Sequence, residues 1–144
     1  MRNRPLTILV DADAIVAQAN QNDSNHHKAV QMAQNLVAQE ARVLYPLTAI
    51  LEAVTVLQKN SGSVGLDIAQ GTASIFAQSI YEVLEPSREL YAQAYEKYFK
   101  KVTNKNDTLF DCLVMVIAKE YQVDAIFSFD RVYRKKGFKL VADL

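Results

Sequence analysis

Apolar residues recur along this chain in two alternating patterns. Short runs appear at Thr7-Ile8-Leu9-Val10, at Arg42-Val43-Leu44-Tyr45, closed by Pro46, and at Ala125-Ile126-Phe127-Ser128-Phe129. They are rich in branched and aromatic residues and too short for independent helices, so they predict strands, the first of them covered on both faces as in a parallel sheet. Between them the spacing becomes helical. Leu47, Ile50, Leu51, Val54 and Leu57 mark a helix from Leu47 to about Asn60, ended by Asn60-Ser61-Gly62. Asp13 to Ala19 predicts a short helix, and Asn22, Asp23, Ser24 and Asn25 supply turn and cap chemistry for another that reaches about Glu40. Residues 61–78, with Gly62, Gly65 and Gly71, predict a turn and a less regular helix, followed by a third strand from Ser79 to Leu84. Pro86-Ser87 opens a helix carrying Tyr91, Tyr95 and Tyr98, and Asp107 to Tyr121 forms the last long one. Lys139 to Val141 predicts a final short strand.

Strands alternating with helices imply right-handed crossovers and a parallel sheet covered on both sides. The predicted class is therefore α/β, a three-layer α/β/α arrangement with a central parallel sheet of about five strands. An order of 3-2-1-4-5 would make the first and fourth strands neighbours where the winding reverses, and in such sheets ligands bind beyond the carboxyl ends of the strands. Both of those strands run into a carboxylate, Asp11 and Asp130.

Composition narrows the picture further. A length of 144 residues fits one domain, 1–144, and the 50% hydrophobic content, with 4 Gly and 3 Pro, leaves no room for a low-complexity linker. A lone Cys112, no leader pattern and no span of about 18 apolar residues together predict a reducing, cytoplasmic setting without a membrane. Net charge is zero, so affinity for phosphates must come from a local patch.

Asp111 heads a helix face that continues through Val114, Met115 and Ala118, so its charge enters a covered row and needs a partner. Glu52 falls in the first turns after the second strand, on the polar side of its helix and near the carboxyl edge of the sheet. Asp11, Glu52, Asp111 and Asp130 at one edge would raise one another's pKa unless a cation sat among them, and an oxygen-only set suits Mg²⁺ or Mn²⁺ rather than zinc. Asp13 stands just past Asp11. Arg131, Arg134, Lys135, Lys136 and Lys139 follow Asp130, with Tyr133 and Phe138 interleaved, and would bind phosphates flanking the one that reacts. The series Tyr91, Tyr95, Tyr98 predicts helical core packing. Cys112 reads as buried filler, and His26 and His27 as surface residues at a helix start.

With Ile8-Leu9-Val10-Asp11-Ala12-Asp13, Leu47-Thr48-Ala49-Ile50-Leu51-Glu52, Thr108-Leu109-Phe110-Asp111-Cys112-Leu113 and Ile126-Phe127-Ser128-Phe129-Asp130, nearly the whole chain resembles a PIN domain, and within that family the VapC-type toxins. The resemblance implies a ribonuclease whose quartet of Asp11, Glu52, Asp111 and Asp130 holds Mg²⁺ or Mn²⁺. It also implies that Ser128 orients the site, that the RNA substrate is a structured one such as tRNA, and that the partners are an antitoxin protein and a second copy of the chain. One departure is Asp13, where the family more often has Asn, Ser or Thr. Alternatives are a housekeeping PIN nuclease, a PIN-like protein-binding module without a metal, and a phosphatase using Asp11 as nucleophile, which would want a later pair of acids in a Gly-Asp context.

Overall fold

The computed structural model describes residues 4–144. Strand β1 (Thr7–Val10) is followed by helices α1 (Ala12–Ala19) and α2 (His26–Ala38), then β2 (Arg42–Pro46) and α3 (Leu47–Asn60). Next come α4 (Gly65–Phe76), β3 (Glu82–Leu84), α5 (Arg88–Lys97), α6 (Leu109–Glu120), β4 (Ala125–Phe127) and the short α7 (Val132–Lys135). The strands form one parallel sheet in the order β3-β2-β1-β4, with Leu9 level with Leu44 on one side and with Ile126 on the other. The expected α/β arrangement holds with four strands rather than about five. Lys139 to Val141 gives only a single parallel bridge, Ile126 to Leu140, before the chain tightens into a 3₁₀ turn over Val141–Asp143.

Alternation along the strands divides the core in two, because successive side chains leave a strand on opposite faces. Ile8, Val10 and Phe127 point into a layer with Ala14, Ile15, Ala17, Ala29, Leu36, Ala49, Ile50 and Ala53, under α1, α2 and α3. Leu9, Leu44 and Ile126 point the other way, into Ala94, the run from Cys112 to Ala118, Tyr133 and Leu140, under α5, α6 and α7. The two helices that lead back into the sheet end alike. After α2, Glu40 takes φ 54° and the Ala41 N–H reaches the Leu36 carbonyl; after α6, Gln122 takes φ 50° and the Val123 N–H reaches the Ala118 carbonyl. This left-handed cap reverses the chain in two residues and feeds β2 and β4 in parallel beside β1.

Three local expectations are corrected. In α3 the buried stripe is Ala49, Ile50, Ala53 and Leu57, while Leu51 is 57% exposed. Small residues at 49 and 53 face the sheet and rotate Leu51 outward. In α5 the buried position is Ala94, with Leu90 and Tyr98 packed against the same cluster, so Tyr91 and Tyr95 are exposed rather than core. Residues 65–76 form a regular helix. Gly65 is there for contact, since a Cβ would stand 2.7 Å from the Gln58 carbonyl oxygen and only glycine lets α4 begin against the end of α3. Cys112 is buried as expected, and His26 is half-buried, its Nδ1 against the Ala17 carbonyl at 2.7 Å.

Candidate active site

The end of β1 is tied to the end of β4 by the Asp11 N–H, which donates to the Phe127 carbonyl at 3.0 Å. Asp11 then serves as the N-cap of α1. Its Oδ1 accepts from the Ala12 N–H at 2.8 Å, using a helix donor that would otherwise be unpaired. Its Oδ2 accepts from the Tyr133 hydroxyl. Asp111 is also a capping residue, the third position of a capping box in which the Thr108 hydroxyl accepts from the Asp111 N–H and Asp111 Oδ2 accepts from the Thr108 N–H at 3.1 Å. The ordinary capping role and the candidate site role of this carboxylate coexist, since its other oxygen, Oδ1, lies 3.4 Å from the same Tyr133 hydroxyl.

Beyond β4, Ser128 is buried and links two acids: its Oγ donates to Asp13 Oδ2 at 3.0 Å and accepts from the Asp130 N–H at 3.0 Å. The Phe129 N–H donates to the same Asp13 oxygen at 2.7 Å, and the Val132 N–H to Asp130 Oδ1 at 2.9 Å. Asp13 Oδ1, by contrast, is buried with no hydrogen-bond partner among the described residues. Glu52 joins Asp13 in lining a hollow of about 230 Å³ with Ala12, Val16, Asp23, Asn25 and Val56. Another, of about 220 Å³, lies between Ile15, Tyr45, Thr72, Phe76 and Tyr81 and has no carboxylate in its lining.

The acids perturb one another in the sense expected of like charges withdrawn from water. Burial pushes the Asp11 carboxyl up to about 7, helped by Asp13 and Asp111 and opposed by the bonds from Tyr133 and Ala12. Partial burial, Asp111 and Asp13 push Glu52 to about 7. Asp13 is raised by burial and by Asp130, and Asp111 by burial and by Asp130. Burial next to Asp11 and Asp111 raises the Tyr133 phenol far above its ordinary value, which keeps it a hydroxyl donor. Thus Asp11, Asp13, Glu52 and Asp111 are each raised in part by another of the sequence-predicted carboxylates at one edge of the sheet, with Asp130 acting on Asp13 and Asp111. Asp13 and Glu52 come from helices on one face, and Asp111 comes from the other.

Among the described residues, no three His, Cys, Asp or Glu side chains converge closely enough to grip an ion as they stand. The donor chemistry nonetheless fits a hard dication. Each carboxylate oxygen has two acceptor lone pairs, so one N–H or O–H bond leaves room for a further ligand, and Asp13 Oδ1 has no partner in good hydrogen-bond geometry among the described residues. The basic residues lie on the α5–α7 side. Arg131 and Lys135 are exposed, whereas Arg134 is committed to a bidentate pair with Asp143 at 3.0 and 2.8 Å. Lys136 faces the start of α6: the Cys112 thiol is raised by burial, Asp111 and Asp107, and lowered by Lys136. What sequence reasoning missed is Tyr133. The basic run presents it as an interleaved aromatic, yet it is fully buried and its hydroxyl sits between two of the acids. The available signal was the apolar pair Val132-Tyr133 set inside a charged stretch.

A family model for the PIN domain matches residues 8–139. Among solved structures, Mycobacterium tuberculosis VapC20, described as a sarcin-ricin loop cleaving toxin, aligns with a TM-score of 0.79 at 18% identity, covering 91% of this chain and 95% of that one. No curated protein sequence matches.

Proposed function

The chain belongs to the PIN-domain family, and from there we propose that it is a metal-dependent ribonuclease acting as the toxin of a VapBC-type pair. The observation that carries this reading is that Asp11, Asp13, Glu52 and Asp111 lie near enough at the carboxyl edge of the sheet, where α/β proteins bind their ligands, for each to be raised by another acid, with Asp130 among the causes. RNA as substrate class accords with the described action of VapC20 on the sarcin-ricin loop, and with the run of cations from Arg131 to Lys139 that follows Asp130. An antitoxin protein and a second copy of the chain are the partners this reading expects, and a cytoplasmic setting goes with it. Among the described residues, no helix is long and apolar enough to cross a membrane.

Asp11, Glu52, Asp111 and Asp130 would hold Mg²⁺ or Mn²⁺, with Asp13 beside them. Bound there, the ion would supply Lewis-acid polarisation of the scissile phosphate, a water of lowered pKa and charge for the leaving oxygen. The protein's own part is orientation. The Ala12 N–H and Tyr133 hydroxyl fix Asp11, the Thr108 cap fixes Asp111, and Ser128 joins Asp13 to the Asp130 backbone. Arg131 and Lys135, both exposed, would bind phosphates on either side of the reacting one together with Lys136, while Arg134, expected in the same role, is paired with Asp143 and braces the turn that carries them.

The test is cleavage of a structured RNA by purified protein, with and without chelator. Asp11→Asn and Asp130→Asn should each abolish cleavage while leaving the unfolding transition cooperative, and chelator should do the same to the parent protein. Near-normal cleavage by either variant, with contaminating nuclease excluded, would refute the assignment.

A further inference from the structure

Tyr133 is the largest fully buried side chain of the protein, and its ring needs no polar partner to fill the core under α6. Its hydroxyl nevertheless reaches out of that core to Asp11 Oδ2 at 2.5 Å and to Asp111 Oδ1 at 3.4 Å. These carboxylates come from the end of β1 and the first turn of α6, elements joined by no strand pairing. The tyrosine is itself held firmly. Its carbonyl accepts from the Lys136 and Phe138 N–H groups, the next residue is clamped to Asp143 by two hydrogen bonds, and Leu140 bridges back to β4.

We propose that the Tyr133 hydroxyl is the positioning group of the acidic site, donating its one proton chiefly to Asp11 Oδ2 while Asp111 Oδ1 stands at the edge of its reach, and so setting the separation and aim of the two carboxylates. This rests on the reading of those carboxylates as ligands for a dication. A carboxylate that ligates a metal is commonly oriented by a hydrogen bond to its remaining lone pairs, and loss of such a partner weakens metal binding by roughly 10–100-fold. Here one hydroxyl stands against two carboxylates. Sub-ångström drift in either would spoil a geometry that Mg²⁺ holds near-octahedral with ligands at about 2.1 Å.

The test is calorimetric titration of Mn²⁺ into the parent protein and into Tyr133→Phe, which keeps the ring and removes only the hydroxyl. Near-ultraviolet tyrosine difference spectra are recorded alongside. The proposal expects affinity to fall by roughly 10–100-fold in Tyr133→Phe. It also expects a metal-induced tyrosine difference band in the parent protein that the variant lacks, with the variant folded by circular dichroism. A purely structural tyrosine would change neither affinity nor band, and equal Mn²⁺ affinity in the two proteins overturns the proposal while leaving the metal site standing. Absence of any saturable heat from the parent protein overturns the metal reading and this one with it. Should Tyr133→Phe fail to fold, Asp143→Asn, which loosens the clamp on α7 from outside the site, must still weaken Mn²⁺ binding measurably. No effect in that variant overturns the proposal.

Discussion

Beneath α1, α2 and α3 the sheet is covered largely by alanines, Ala12, Ala14, Ala17, Ala29, Ala49 and Ala53, whereas on the other face α6 is buried all round, through the bulky run Leu113, Val114, Met115, Val116 and Ile117. Small side chains let backbones approach closely, so on the first face the helices sit near enough to the sheet edge for Asp13 and Glu52 to feel the acids at the ends of the strands. On the second face bulk fixes α6 and α7 in place, and with them Asp111, Tyr133 and the cations that follow. The comparison teaches that the site is a seam. Neither layer owns it, and like charges meet only because two differently packed layers deliver them to one line.

The sharpest way to break that comparison is to exchange the packing rules. Ile117→Ala on the bulky face should cost about 2–5 kcal/mol by leaving a cavity, whereas Ala53→Leu on the close-packed face should cost about 1–3 kcal/mol by forcing the layers apart. Denaturant melts measure both, and an Ala53→Leu protein as stable as the parent would contradict the close approach on that face.

A second prediction concerns the seam itself. In the folded chain Asp11 and Glu52 keep their protons up to about pH 7, while in the unfolded chain they release them near 3.8 and 4.5. Between these points the unfolded chain binds fewer protons than the folded one, so their contribution to stability falls as pH rises from about 4 to about 7 and is level above that. Thermal melts in chelator should show this decline. Asp11→Asn should flatten it and melt higher than the parent at pH 8. A steeper decline in the variant would place the buried charge elsewhere. Saturating Mn²⁺ at pH 8 should raise the parent's melting temperature, because a ligand bound only by the folded chain stabilises it.

The smallest effect should be the same on both faces. Glu40 and Gln122 hold equivalent left-handed caps, so Glu40→Gly and Gln122→Gly should each stabilise by about 0.5 kcal/mol, the relief of strain being partly offset by a freer unfolded chain. Opposite signs in the two variants would show that the caps are not equivalent.

Much of this was legible in the sequence because the signals are local. Short runs at 7–10 and 125–129 mark β1 and β4, which are neighbours in the sheet, and Asp11 and Asp130 lie just beyond the carboxyl ends of those strands. The extent of α3 was legible, from Leu47 to about Asn60, yet its buried face was not: hydrophobicity ranks Leu51 above Ala49 and Ala53, and only the tight approach to the sheet selects the alanines. Glycines at 62, 65 and 71 suggested irregularity where Gly65 instead allows a close helix contact, a distinction made by the Gln58 carbonyl and not by any neighbour in sequence. The link from Tyr133 to Asp11 spans 122 positions and involves a residue whose surroundings are charged, so no periodicity points to it. The last strand shrank to one bridge because Val141–Asp143 turns to cap itself, with Asp143 accepting from the Leu140 N–H and pairing with Arg134.

The most direct test of the seam is crystallographic: crystals of the protein soaked in Mn²⁺, with the ion located by its anomalous scattering. The account predicts a peak with oxygen ligands at about 2.1–2.2 Å drawn from both layers, Asp11 at the start of α1 together with Asp111 at the start of α6. An ion held by carboxylates of one face alone, or no ion at these residues in well-ordered crystals, would contradict it.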